Sequence, residues 1–218
     1  MTHTKIIPSN RFMKKIFKKI VGIFIIILIS PLALTHYCLL VVTDKGLFVL
    51  STQLLSLIPG KMGSYCRVAF NRITMSHCHP ETVIGFATLF SQIDTEIHQG
   101  VYIGPQCNIG SCVIEKNTLI ASGVHIMSGS GQHNFDDLDT PIQQQGGKYE
   151  KIKIGEDSWV GNGCLIMANI GKKCIIGAGS VVSKDIPDYS IAVGNPAKVI
   201  RNRLDNPVVY EGAEESVK

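Results

Sequence analysis

At 218 residues the chain can hold one sizeable domain with an appendage. Hydrophobic residues make up 45% and charged ones 17%, with the apolar excess concentrated before residue 60, and the formal charge of +4 is too small and too dispersed to argue for nucleic acid. That charge fits anionic lipid or a phosphate-bearing cofactor instead, and seven cysteines without framework spacing speak for a reducing compartment rather than a disulfide scaffold.

Residues 1–60 read as a basic flank followed by membrane-associated helices. Lys5, Arg11, Lys14, Lys15, Lys18 and Lys19 precede an almost wholly apolar run from Ile20 to Val42. As a helix that run would reach about 35 Å, enough for a bilayer core of about 30 Å. No small-x-small cleavage site follows it, so a signal peptide fits poorly. Basic flanks stay cytoplasmic, and Pro31 is expected to break the helix near Thr35 and His36, so that the segment enters and returns as a kinked hairpin. Beyond Asp44-Lys45-Gly46, Leu47, Leu50, Leu54, Leu57 and Ile58 form one helical face and Ser51, Thr52 and Ser56 the other, as in an interfacial helix. Lys61, Arg67 and Arg72 supply the second basic flank that a return to the same side predicts.

Residues 61–96 are a transition, with irregular spacing from Val83 to Ile93 that reads as an incomplete capping coil. His77-Cys78-His79 has zinc-ligand chemistry, but no fourth ligand stands at a recognisable spacing, so a loop or interface role is the reading and no metal is expected.

From Ile97 onward an aliphatic residue recurs every six positions, at Ile97, Ile103, Ile109, Ile114, Ile120 and Ile126, then at Ile154, Val160, Ile166, Ile170, Ile176 and Val182. The position four places on is small or β-branched (Val101, Cys107, Val113, Thr118, Val124, Ser158, Cys164, Cys174, Ser180). A period of six fits neither helix nor simple strand; it suits a short strand plus a corner, three of which close one triangular coil of a parallel β-helix. The aliphatic residue then points into the prism, and Cys107, Cys164 and Cys174 are packing residues beside it. Two spacings are short: Ile109 to Ile114 by one residue and Ile166 to Ile170 by two.

The repeat stops at Met127 and resumes at Lys153. A polar insertion in so regular a stack must leave the prism, and such loops are usually functional or disordered. Phe135 and Tyr149 suggest that it docks on a neighbouring subunit. His133 follows a Gly-rich run near its start, and an imidazole is the side chain best matched to removing a hydroxyl proton at neutral pH. Asp136 or Asp137 could orient that imidazole. His125 sits in a coil and reads as structural. Trp159, on an outward corner, walls a channel or makes a subunit contact. The chain after Arg201, residues 202–218, is a polar tail.

The runs Ile154-Gly-Glu-Asp-Ser-Trp-Val-Gly161, Ile176-Gly-Ala-Gly-Ser-Val-Val182 and Val193-Gly-Asn-Pro-Ala-Lys-Val-Ile200 resemble the hexapeptide-repeat acyltransferases, among them galactoside, maltose and nodulation-factor acetyltransferases. The resemblance covers about half of the chain, residues 97–201. It implies an all-β, left-handed parallel β-helix, a homotrimer, and acetyl transfer from acetyl-CoA at sites between subunits. It assigns His133 the role of general base, and Asn162, Ala178, Ser183, Lys184, Lys198 and Arg201 contacts to coenzyme A. Lys198 stands where the galactoside enzymes have Arg, and a point charge holds phosphate less directionally than a planar fork. The implied activity is O-acetylation of a sugar hydroxyl in polysaccharide or lipid-linked glycan synthesis. The alternatives are N-acetylation of an amino sugar and a β-helical zinc carbonic anhydrase, which needs three converging histidines. With residues 1–60, these readings place the protein at an inner membrane, in contact with lipid and with its catalytic part cytoplasmic.

Overall fold

The computed structural model describes residues 9–43 and 46–205. Three helices lead into the coils: α1 (Ser9–Thr43), α2 (Gly46–Ser56) and α3 (Gly60–Thr74). The expected break at Pro31 does not occur, and α1 runs through it. Proline removes the N–H that would have reached the Ile27 carbonyl, and the Ser30 hydroxyl donates to that same oxygen at 2.8 Å. The apolar run is in part protein-packed, because Ile25, Ile29 and Ala33, one turn apart on one side, are buried where α1 lies on α3. Among the described residues no helix is long and apolar enough to cross a membrane, which overturns the spanning or re-entrant segment and the membrane location expected from the sequence.

The second helix keeps the expected division into an apolar and a polar face, and it is the polar face that packs on the protein. Its Ser51, Thr52 and Ser56 are buried and Leu50, Leu54 and Leu57 are exposed. The polar residues face inward because they serve the first coil: Thr52 Oγ1 donates to the Phe90 carbonyl and the Ala87 N–H donates to the Ser56 carbonyl. Arg67 is likewise no basic flank. It is 3% exposed, and its guanidinium donates to the carbonyls of Leu55, Ser56, Ile58 and Ile84.

The coils begin at His77. Coil one, β1 (His77–Cys78), β2 (Val83–Ile84) and β3 (Leu89–Phe90), is complete, with Cys78, Ile84 and Phe90 spaced by six and buried. Coil two is β4 (Glu96–Ile97), β5 (Tyr102–Ile103) and β6 (Asn108–Ile109); coil three is β7 (Cys112–Ile114), β8 (Leu119–Ile120) and β9 (His125–Ile126). After the loop, coil four is β10 (Ile152–Ile154), β11 (Trp159–Val160) and β12 (Leu165–Ile166). Coil five has β13 (Ile175–Ile176) and β14 (Val181–Val182), its first side reduced to Ile170 bridging Ile154 and Ile186. That reduction is the two-residue shortening seen in the sequence. The last turn is β15 (Ser190–Val193), and β16 (Lys198–Asn202) returns antiparallel along it.

The result is a three-sided parallel β-solenoid. Face one stacks β1-β4-β7-β10, face two stacks β2-β5-β8-β11-β13-β15 with β16 as its edge, and face three stacks β3-β6-β9-β12-β14. All twelve repeat aliphatics lie inside, none more than 2% exposed. The small inward position is two residues before each aliphatic. Where the side is one residue short, four places after Ile109 is no longer two before Ile114, so the fully buried Cys112 fills the position expected for Val113, which is only half-buried. Non-glycine residues adopt positive φ at corners, as Asn117, Asp157, Lys173 and Tyr189 do between faces one and two. At Gly155, by contrast, a Cβ would run into the backbone of Gly171 on the next coil, so the stacking distance itself requires glycine.

Candidate active site

The loop leaves the prism at the edge between faces three and one, after β9, and re-enters it at β10. Its two limbs run side by side as an arm. The Glu150 N–H donates to the Ser128 carbonyl at 2.9 Å, Lys148 to Gly131 at 2.7 Å, and Asn134 to Gly146 at 2.9 Å. Gly147 lets the limbs close, since a Cβ there would strike the backbone of Gln132 and His133. Beyond the arm a short 3₁₀ turn, Ile142–Gln144, is fastened by Gln145, whose side-chain oxygen accepts from the Asp137 N–H and whose amide donates to the Asp137 and Thr140 carbonyls.

His133 sits on this arm opposite Gly147, exposed, with no side-chain hydrogen bond among the described residues. Asp137 is committed to its own turn: its carboxylate accepts from the Asp139 and Thr140 N–H groups, and hydrogen bonds from Thr140 and Asp139 hold its carboxyl below the usual range. The neighbouring Asp136 is exposed and has no hydrogen-bond partner among the described residues.

The six residues assigned to coenzyme A are all exposed and fall in three places. Asn162 and Ala178 follow β11 and β13 on the edge between faces two and three, and Lys198, which pairs with Val193 at the end of β15, extends that row. Ser183 and Lys184 follow β14 on the edge from which the arm leaves. Arg201 pairs with Ile191 on face two. Asn162 also has a structural task, its side-chain oxygen accepting from the Ser122 N–H at 3.2 Å. Lys184, Lys198 and Arg201 form no ion pair among the described residues. Such unpaired surface cations suit the phosphates of a nucleotide cofactor. Within one chain, the arm and the Asn162 row occupy different edges of the prism.

Trp159 lies on face two, away from its own arm, in a stripe of outward side chains in register: Val83, Tyr102, Leu119, Trp159, Ile175 and Ile191. It borders a cleft of about 220 Å³ with Asn117, Asp157 and Arg203. A second cleft, of about 540 Å³, opens at the foot of the arm between Gln92, Ile93, Asp94, Ser111, Tyr149 and Lys151. His125 is on face three between Asn108 and Leu165, exposed. The rings of His77 and His98 lie with centroids 5.0 Å apart and tilted by 40°, yet among the described residues no three His, Cys, Asp or Glu side chains are grouped to hold a metal.

No protein-family model matches the chain. In sequence it is 45% identical over 73 residues to the probable acetyltransferase Rv3034c of Mycobacterium tuberculosis, a match covering 33% of this chain and 24% of that protein. It is 41% identical over 92 residues to YJL218W of Saccharomyces cerevisiae, also provisionally named an acetyltransferase, covering 41% of this chain and 44% of that one. The chain thus spans less than half the length of these curated relatives. In structure it superposes on a maltose O-acetyltransferase from Clostridium difficile with a TM-score of 0.63 at 23% identity, over 73% of this chain and 86% of that one. A galactoside acetyltransferase in complex with coenzyme A superposes with a TM-score of 0.62 at 23% identity, over 73% and 80%. The hexapeptide-repeat acetyltransferase VCA0836 of Vibrio cholerae follows at 0.54 and 20%, over 71% and 89%.

The fold is that of the hexapeptide-repeat acetyltransferases. The relatives reached by sequence carry acetyltransferase names. Within this hexapeptide-repeat fold, sequence reasoning missed two features. Gln145, the fastener of the arm, sits in a low-complexity Gln-Gly stretch where no spacing singles it out. The cleft at the foot of the arm joins Asp94 to Ser111 and Tyr149 across three separate turns of chain, a proximity that only the stacking creates.

Proposed function

We propose that this protein transfers an acetyl group from acetyl-CoA to a hydroxyl of a sugar, as a homotrimer of left-handed β-helices, with His133 as general base. The observation that carries the reading is the arm itself. In a solenoid with the fold of acetyltransferases, the one long interruption of the coils projects an exposed imidazole with no competing hydrogen bond among the described residues.

In the reaction the acceptor hydroxyl gives its proton to the free imidazole nitrogen as its oxygen attacks the thioester carbonyl. The tetrahedral oxyanion is held by main-chain N–H donors, and its collapse expels the coenzyme A thiolate, which takes the proton back from the imidazolium. Asp136, whose carboxylate has no hydrogen-bond partner among the described residues, is the one of the two aspartates left free to orient the ring. Asn162, Ala178 and Lys198 line one track for the cofactor, with Ser183, Lys184 and Arg201 supplying polar and cationic contacts near the last coils. Because the arm and the Asn162 row lie on different edges of one prism, a complete site needs the arm of one subunit beside the row of another. That requirement supports a ring of three. Trp159 then belongs to the surface between subunits or to the channel wall.

Incubating purified protein with radiolabelled acetyl-CoA and a panel of sugars, amino sugars and water as acceptors tests the reading. Acetyl ester formed on a sugar is expected. Label transferred only to amines would replace the acceptor hydroxyl by an amine, and no coenzyme A binding by calorimetry would end the proposal.

A further inference from the structure

The cleft at the foot of the arm is built rather than incidental. Asp94 Oδ2 accepts from the Ser111 hydroxyl at 2.6 Å, the Ser111 N–H donates to the Ser128 hydroxyl at 2.9 Å, and the Ser128 carbonyl accepts from Glu150 at the base of the arm. The carboxylate is thereby fixed to the segment that carries His133. The cation in the lining, Lys151, is already taken, its Nζ lying 2.6 Å from Glu96 Oε1. Asp94 itself enters no ion pair among the described residues. Ile93 and the ring of Tyr149, which is 59% exposed, give the cleft apolar surface. Tyr149 is two residues along its limb from Gly147, which faces His133 across the arm.

We infer that this cleft is the acceptor subsite and that it takes a hydroxyl-rich ring without phosphate or carboxylate. Sugar rings offer hydroxyl donors on their rim and C–H groups on their faces. Asp94 accepts from the first, and Tyr149 with Ile93 packs on the second. At about 540 Å³ the space is in the range that ligand pockets occupy. An anionic group entering it would meet an uncompensated carboxylate, because the lysine that might have balanced it is bound by Glu96. The cleft therefore selects neutral sugars over sugar phosphates and acidic sugars. This rests on the reading of the arm as catalytic, since it places the acceptor beside His133.

The test uses the full chain and two readouts, saturation-transfer NMR with maltose, methyl galactoside and glucose 6-phosphate, and steady-state acetyl transfer to the same compounds. Wild type should bind the two neutral sugars and not the phosphate. Asp94→Asn, which keeps an oxygen for Ser111, and Tyr149→Ala, at an exposed position that does not endanger folding, should each raise the acceptor KM about tenfold or more with the acetyl-CoA KM unchanged. Neutral-sugar signals that persist in both variants, or binding of glucose 6-phosphate as tight as that of maltose, would overturn the subsite. So would absence of sugar binding by wild type. Transfer at wild-type KM in the variants removes the subsite but leaves the transferase standing. Binding lost in the variants without transfer in wild type does the reverse.

Discussion

The guanidinium of Arg67 donates twice to the carbonyl oxygen of Ile84, through Nε at 3.2 Å and through Nη2 at 3.0 Å. Its third nitrogen, Nη1, donates to Leu55, Ser56 and Ile58. One side chain of α3 therefore fastens the end of α2 to the first coil. Burial lowers its pKa from the ordinary arginine value, with Cys66 opposing the shift. Arg67→Met should remove all five of these hydrogen bonds and cost about 3–5 kcal/mol, in the range for losing several hydrogen bonds to a buried charged group. Urea unfolding followed by circular dichroism measures it, and a midpoint within error of wild type would mean that the helices are not held by this clamp.

Replacing His133 by alanine is expected to lower acetyl transfer by roughly 100-fold or more, the low end of what a general base contributes. The side chain is exposed and unpartnered among the described residues, so the melting temperature should not move. Activity retained in His133→Ala would remove this residue from the mechanism.

Glu96 and Lys151 give the outer surface of face one an acid-sensitive contact. The hydrogen bond from Lys151 lowers the Glu96 pKa below its unfolded value of about 4.3. The pair's stabilisation is then complete above about pH 4.3 and fades as pH falls through the folded pKa, where the carboxylate gains a proton. Both side chains are about one-third exposed, so solvent screening limits the effect to about 0.5–1 kcal/mol. Melting temperatures of wild type and Lys151→Met, taken from pH 3 to pH 7, should differ near neutrality and converge in acid. A gap that widens in acid contradicts the assignment.

The coil cysteines should be chemically silent. Burial pushes the Cys78 thiol up to about 12 and raises that of Cys112, with Cys107, Cys164 and Cys174 also shifted upward by burial. Thiolate is the reactive form, so none of the five should alkylate in the native protein at pH 7.5, whereas all should in urea. Peptide mapping by mass spectrometry after iodoacetamide treatment reads this directly. Rapid native labelling of Cys112 would mean that the short corner after Ile109 opens.

Much of this molecule is written in local spacing. The period of six was legible because every side of every coil must present one aliphatic residue to the same narrow interior, as Ile103, Ile120, Val160 and Ile176 do on face two. Cys78, Ile84 and Phe90 obey the same period, but a cysteine and a phenylalanine in place of isoleucine hid the first coil. Helix orientation was not legible. The stripe Leu50, Leu54 and Leu57 reads as the apolar face of an interfacial helix, and nothing in it tells what the Ser51, Thr52 and Ser56 face packs on. What decided the matter was the demand of unpaired coil carbonyls and N–H groups for partners, which Thr52, the Ser56 carbonyl and Arg67 supply.

The sequence by itself determined the three-sided coil, its interior and the place where the chain must leave it, because these follow from steric repetition between residues six apart. Only the tertiary structure decided which way α1 and α2 present their faces, that the arm and the Asn162 row stand on separate edges, and that Asp94, Ser111 and Tyr149 enclose one cleft. Those relationships join residues about 17 to 55 positions apart, and no local pattern encodes them. They arise when coils stack and bring distant corners to the same height.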